Sequence, residues 1–331
     1  MYKTFFSLTR NPFELTPDPT CFVPTRRHNE ALAALYYGIR SHKGLVVLTG
    51  EVGTGKTLVL RCLLRLLKES RDIVYAYLFN SRLTEIEFLH YVMSDFGFPA
   101  SSKNKSELLL ELRHFLVSRG SKKQTTVLVV DEAHHLSESL LEEIRLLSNL
   151  ERTDDKLLQI VLVGQPELDE ALDSPQLRQI KQRIALRAEL GPLDLDETSE
   201  YIMRRLQIAG AAEEQDLIFG AEAIAAIHRY SQGLPRLINT ICENGLITAY
   251  AMNSHTVTPT IVEEVARQFR LDMDLATGGR EDFGMHRETE IRRAAASALG
   301  GLFLNLLKSA ESNLGEAIPY ADESREHEPS I

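Results

Sequence analysis

The chain has 331 residues, 44% of them hydrophobic, enough for a sizeable core in one large or two modest domains. A formal net charge of −10 is moderately acidic and does not suggest a surface coated for nucleic acid, and from Leu271 to Ile331 the chain carries 12 acidic and 6 basic residues, leaving the remainder near −4. Cys21, Cys62 and Cys242 form no CxxC pair, which excludes a disulfide framework and a zinc site and fits a reducing cytoplasm; neither a signal-peptide h-region nor an apolar run long enough to span a membrane occurs.

The first 25 residues hold "NPFELTPDPTCFVPT", whose prolines exclude a long helix and predict an extended, packed arm. "RRHNEALAALYYGIRSH" reads as an amphipathic helix, and "GLVVLTG" as a buried parallel strand ended by Gly50. A helix is expected from Lys56 through "LVLRCLLRLLKES". Strands then alternate with helices: "IVYAYLF", "TVLVVD" and "LLQIVLVG" are strand-like, while "LTEIEFLHYVMSDFG", "KSELLLELRHFLVSRG" and "SESLLEEIRLLSNL" are helix-like. From Leu193 every segment is helical: "DETSEYIMRRLQIAG", "AEAIAAIHRYSQG", "PRLINTICENGLITAYAMN" and "PTIVEEVARQF". The predicted organisation is an arm and first helix over 1–44, an α/β core with a parallel sheet over 45–192, a small all-α lid over 193–270, and an acidic, mobile tail over 271–331. The tail carries one amphipathic stretch, "HRETEIRRAAASALGGLFLNLLKSA".

"GEVGTGKT", Gly50 to Thr57, matches the phosphate-loop pattern in full and lies between a predicted strand and a predicted helix. Gly50, Gly53 and Gly55 let backbone N–H groups turn inward. With Glu51, Val52, Thr54 and Leu58 they line the expected ATP phosphate site, and the helix N-terminus adds a favourable dipole. Lys56 can reach the β- and γ-phosphates, and the Thr57 hydroxyl can ligate Mg²⁺. In "VLVVDEAHHL" four apolar residues deliver Asp131 and Glu132 to a strand end. Asp131 is the second Mg²⁺ candidate and Glu132 the base that deprotonates the attacking water. His134 and His135 are expected to pack or face solvent, since adjacent helical residues point apart.

Together, "NPFELTPDP", "LTGEVGTGKT", "LVVDEAHHL", "LVGQPEL", "QRIALRAELGPL" and "GLPRLIN" resemble the ExeA-like (general secretion pathway protein A) branch of the AAA+ ATPases over about residues 1–270. The letters DEAH then mark the acidic strand of one ATPase domain, because a helicase of that name needs a second RecA-like domain. The resemblance implies Gln165 as sensor 1, Arg236 as sensor 2 and Arg183 as a finger reaching a neighbour's site. Arg187, four residues on and expected on the same helix face, is the other finger candidate. Asn80 is a candidate switch on Glu132, or only a cap.

The resemblance further implies Mg-ATP hydrolysis in a ring or filament that drives assembly in a secretion or cell-envelope system. The expected location is the cytoplasm, with inner-membrane association through a partner. Such relatives often carry a transmembrane segment and a peptidoglycan-binding domain after the core, and neither is found in this sequence. The alternative is a DNA-binding ATPase of the transposition or replication-initiator type. Its support is thin: "SSKNKS" and "SRGSKK" are basic loops without an aromatic for stacking. "DFGFPA" has the letters of a pore loop but reads better as a helix end at Gly97.

Overall fold

The computed structural model describes residues 2–14, 23, 25–79, 82–99, 103–152, 155–211 and 218–271. The amphipathic tail stretch, Asn80 and Cys21 lie outside the described residues. All the described residues fall within one compact unit, 1–281.

A five-stranded parallel sheet organises the first half. Its strands are β1 (Leu45–Gly50), β2 (Ile73–Leu78), β3 (Thr125–Val130), β6 (Gln159–Gly164) and β7 (Ile184–Leu190), in the order β2-β3-β6-β1-β7. β1, β3 and β6 are buried at every position, as continuous apolar runs in the middle of a two-sided sheet should be. A short antiparallel pair, β4 (Glu151–Arg152) with β5 (Asp155–Lys156), precedes β6. α2 (Arg26–Arg40) and α3 (Lys56–Glu69) cover one face of the sheet, with α2 on β7 and β1 and α3 on β1 and β2. α4 (Glu85–Asp95), α5 (Lys105–Ser121) and α6 (Glu138–Leu147) share an apolar cluster with the other face, built on Phe88, Leu89, Leu112, Leu116, Leu140 and Ile144. α7 (Pro166–Leu172) follows β6 directly, and α8 (Arg178–Lys181) is a single turn before β7.

"QRIALR" is therefore not a helix. Arg183 sits in the turn after α8 and Arg187 lies inside β7, so the two do not share a helix face. β7 is an edge strand, half-buried or exposed at every position but its last, with Arg187 and Glu189 among its residues, and this disguised it beside the apolar runs of the inner strands.

The second half is α9 (Leu195–Ile208), α10 (Ala221–Ser231), α11 (Pro235–Ala251) and α12 (Pro259–Gln268), around Ile202, Ile227, Ile238, Leu246 and Val262. The N-terminal arm, with the single turn α1 (Tyr2–Phe5), packs on these helices through Phe6, Leu8 and Phe13. Arg205, buried on α9, donates from Nε to the Pro12 carbonyl at 2.5 Å and from Nη2 to the Glu14 carbonyl at 3.2 Å. A buried guanidinium satisfied by two arm carbonyls fixes the arm's path. The arm and α2 thus pack against different layers. Gly233 (φ +72°), in the turn before α11, accepts at its carbonyl from Leu193 N at 2.9 Å, which ties the segment leading into α9 to the start of α11. Among the described residues no helix is long and apolar enough to cross a membrane.

Candidate active site

β1 ends at Gly50 and α3 begins at Lys56. Between them residues 51–55 turn through Gly53 (φ +86°) and Gly55 (φ +99°), a backbone that side chains rarely adopt. A Cβ on Gly50 would lie 2.5 Å from the Leu190 carbonyl oxygen, one on Gly53 2.9 Å from Arg236 Cβ, and one on Gly55 2.6 Å from His28 Nε2. The loop is thus held tightly from three sides, by β7, α11 and α2. Gly55 caps α3 without a side chain, which leaves the helix N-terminus open to an anion. Thr57 and Val52 are exposed, Leu58 is half-buried, and Thr54 is buried with its hydroxyl donating to Glu51 O at 2.8 Å. Lys56 is buried and its Nζ donates to Gly50 O at 2.6 Å and Glu51 O at 2.9 Å. Burial lowers its pKa, opposed by the carboxylates of Glu132, Asp131, Glu51 and Glu167.

His28, in the first turn of α2, is a supporting residue that the sequence reading missed. Its Nδ1 faces Thr25 Oγ1 at 2.6 Å and its Nε2 faces the Thr54 carbonyl at 2.9 Å. A carbonyl only accepts, so Nε2 carries the proton and the Thr25 hydroxyl donates to Nδ1. Burial lowers the pKa of the ring.

In the order β3-β6-β1 the strand ends set Asp131, Gln165 and the phosphate loop side by side. At about 4.8 Å per strand, the acidic end lies roughly 10 Å from the end of β1, room for a phosphate chain between them. Asp131 is buried. Its Oδ2 accepts from the Tyr77 hydroxyl at 3.0 Å and its Oδ1 from Glu132 N at 2.9 Å. Burial raises its pKa against those two hydrogen bonds. Tyr77 was also missed: it belongs to an alternating strand, and only the β2–β3 pairing brings it to the acid. Glu132 occupies the left-handed region, φ +50°, unusual for a side chain that is not glycine or asparagine.

His134 packs and His135 faces solvent, in line with expectation, but their rings do not point apart. Residues 133–135 form one 3-10 turn, and the rings of His134 and His135 lie 4.0 Å apart rather than pointing away from each other. The His134 side chain is 6% exposed, with Nε2 at 3.0 Å from the Gln165 side-chain amide and 3.5 Å from Glu132 Oε2, while Nδ1 accepts from Gln165 N at 3.3 Å. Glu132, His134 and His135 each bring a ligand atom within 4.8 Å of one another, but both His134 nitrogens already face Gln165.

The arginines separate by register. Leu45 pairs with Ile184 and Gly50 with Leu190, so Arg183 lies at the opposite end of the sheet from its own phosphate loop. Six residues of strand put it roughly 20 Å away. Arg183 is exposed, and no hydrogen bond or ion pair of its side chain occurs among the described residues. Arg187 is committed within the chain, with Nη1 at 2.6 Å from Asp169 and Nη2 at 3.4 Å from Asp173. Arg236, exposed in the first turn of α11, donates its backbone N–H to Gly53 O at 3.2 Å, which sets its side chain beside the loop. Gly97 (φ +89°) ends α4 and Phe98 packs on Phe115 with centroids 5.1 Å apart, as a helix end rather than a pore loop.

A parallel sheet in this order, a glycine loop at the end of its first strand, an acid pair two strands over and a trailing helical bundle define an AAA+ P-loop NTPase fold. Residues 39–172 match the family described as AAA domain. Among solved structures, a Cdc6p from Pyrobaculum aerophilum covers 78% of this chain and 70% of its own at TM-score 0.57 and 19% identity. The Aeropyrum pernix ORC2 protein covers 88% and 90% at 0.56 and 14%. Likeness at such identities shows the fold alone. The narrower placement comes from sequence: the chain is 45% identical over 259 residues, 78% of its length, to general secretion pathway protein A of Aeromonas hydrophila. It spans 46% of that protein. The chain belongs to the general secretion pathway protein A family of AAA+ proteins.

Proposed function

We propose that this protein binds and hydrolyses Mg-ATP and, as a homo-oligomer, uses the cycle to drive assembly or remodelling in a secretion or cell-envelope system. The observation that supports the chemistry best is the loop Gly50–Thr57, its three glycines closed in from behind and Lys56 turned inward, set in line with Gln165 and the Asp131–Glu132 pair. In this reading the backbone of Gly50, Glu51, Val52, Gly53, Thr54 and Gly55, with the first turn of α3 at Lys56, Thr57 and Leu58, wraps the phosphates. Lys56 exchanges its two loop carbonyls for β- and γ-phosphate oxygens, a trade of neutral acceptors for charged ones.

The donor set fits Mg²⁺: a hard carboxylate, Asp131, pre-oriented by Tyr77 and the Glu132 N–H, and an exposed Thr57 hydroxyl at the loop. When bound, the ion would neutralise charge developing on the phosphate oxygens. Glu132 takes the proton of the attacking water. Gln165 donates to the γ-phosphate, and Arg236 brings the lid to the same group. Arg183 serves the neighbouring subunit's site, because the register carries it to the far end of its own sheet.

The envelope setting rests on the relative's name, general secretion pathway protein A, and on a shared region that is about half of that protein. Steady-state ATP turnover of the purified protein, with Glu132→Gln as the blank, tests the reading, run with and without duplex DNA across a salt series. Turnover above the blank and indifferent to DNA is expected. Strong DNA stimulation that falls steeply with salt would replace the envelope setting with nucleic-acid work. Absence of turnover above the blank would remove the ATPase itself.

A further inference from the structure

His134 faces the two groups on which the proposed reaction turns. Its protonation pattern follows from its partners. Nδ1 lies 3.3 Å from the backbone N–H of Gln165, a donor, so Nδ1 must be the acceptor. In the neutral ring Nε2 then carries the proton, and burial, which lowers the pKa of this ring, keeps it neutral. That N–H points at the Gln165 side-chain amide, 3.0 Å away, with Glu132 Oε2 at 3.5 Å. Two N–H groups cannot face each other across a hydrogen bond. The amide atom toward His134 is therefore the carbonyl oxygen, the two amide atoms being interchangeable by a flip. The consequence is directional: with its oxygen tied to His134, Gln165 has its NH₂ turned the other way. An NH₂ group is the half of the amide that can donate to a phosphate oxygen.

We propose that His134 is a positioning residue that locks the flip of the Gln165 amide, so that its NH₂ faces the γ-phosphate, and that the same Nε2–H holds the Glu132 carboxylate at the reacting end of the loop. The proposal rests on the ATPase reading above and adds a physical link between two roles treated there as separate. His134 has one Nε2–H for two acceptors. A shift of Gln165 toward the γ-phosphate releases that proton to Glu132, and a shift away reclaims it. The presence of the third phosphate is thereby read into the orientation of the base. The link also gives the left-handed Glu132 backbone a role, since that turn carries the 3-10 segment which sets His134 against Gln165.

The test uses the full chain and four variants. His134→Leu keeps bulk without a donor. His134→Gln restores an N–H near the Nε2 position. Gln165→Ala and the double variant Gln165→Ala with His134→Leu complete a cycle. Turnover and the affinity for a non-hydrolysable ATP analogue are measured for each. A misplaced reacting group costs about 10²-fold, so His134→Leu should lose about that much kcat with analogue affinity held within about 3-fold. His134→Gln should recover about 10-fold of the loss. In the Gln165→Ala background, His134→Leu should cost clearly less than the about 10²-fold it costs alone, because the part of its effect that acts through Gln165 is already lost and only the hold on Glu132 remains. Near-wild-type turnover of His134→Leu overturns the proposal. So do losses that multiply in the double variant, or parallel loss of turnover and analogue binding in both His134 variants, the mark of a packing role. Failure of the ATPase reading is a different result: the wild-type chain itself would not exceed Glu132→Gln.

Discussion

Gly55→Ala probes how the phosphate loop is supported. Gly55 stands at φ +99°, and an alanine there is strained by about 1–2 kcal/mol before any contact is considered. The new methyl would also come to 2.6 Å from His28 Nε2, closer than any tolerated contact. The ring has little freedom to retreat, being buried and held by Thr25 on one side and by the Thr54 carbonyl on the other. Moving it leaves a buried carbonyl unpaired, which costs about 1–3 kcal/mol more. The expected loss is therefore about 2–5 kcal/mol, a large part of the roughly 5–15 kcal/mol that holds a domain together. Urea unfolding measures it. The decisive comparison is the double variant with His28→Ala, in which the ring is gone and only the backbone strain remains. The two losses should then fall short of their sum by about 1–3 kcal/mol. Additivity within about 0.5 kcal/mol would refute the claim that His28 is the wall behind Gly55.

Three further outcomes follow from the same geometry. Burial holds the neutral form of His28, so the unfolded chain takes up the proton first as pH falls. The stability this ring contributes is complete above the unfolded value near about 6.5 and is lost below it, toward the lower folded pKa, by up to about 1.4 kcal/mol per pH unit. Urea midpoints taken down through that range should decline, with a shallower decline in His28→Gln; equal slopes would discount the buried ring. Gly233→Ala places a methyl 2.0 Å from the Leu193 carbonyl oxygen at φ +72°, a backbone collision that no side-chain rotation relieves. It should destabilise by about 2 kcal/mol or more in thermal melts, and an unchanged melt would mean that the Leu193–Gly233 contact yields without cost. Arg183→Ala should keep nucleotide affinity and lose about 10³-fold or more in turnover, recovered in part on mixing with Lys56→Ala subunits. Arg187→Ala, which frees Asp169 and leaves Asp173 paired with Lys181 at 2.9 Å, should leave turnover near wild type; the reverse outcome would exchange the two assignments.

What could be read from sequence divides along physical lines. β1, β3 and β6 are buried at every position, and a run such as "LVVLTG" has few other destinations. The glycine loop declares itself because backbone geometry restricts which residues can stand at Gly53 and Gly55. β7 concealed itself for the opposite reason: as an edge strand it interleaves Arg187 and Glu189 with apolar residues, and four-residue spacing between Arg183 and Arg187 then imitates a helix. His28 and Tyr77 were missed because nothing local marks them, and His134 was read only as a packing or surface residue. Each reaches the site across an element boundary, from α2, from β2 and from the turn after β3, and only strand pairing and layer packing create the contact. For the histidine pair the error lay in helix geometry, since a single 3-10 turn set beside β6 brought both rings together.

Correcting the helix into a strand strengthens the proposed role of Arg183. Two arginines on one helix face would be interchangeable, and either could bend toward the loop of its own chain. A parallel strand paired with β1 in register removes that freedom. It ties Arg187 to the aspartates after β6 and fixes Arg183 at the end of the sheet where Leu45 begins, a full strand length from Lys56. An exposed arginine in that place cannot serve the site of its own chain. If it acts on a phosphate at all, that phosphate belongs to another copy, and hydrolysis and assembly become one requirement.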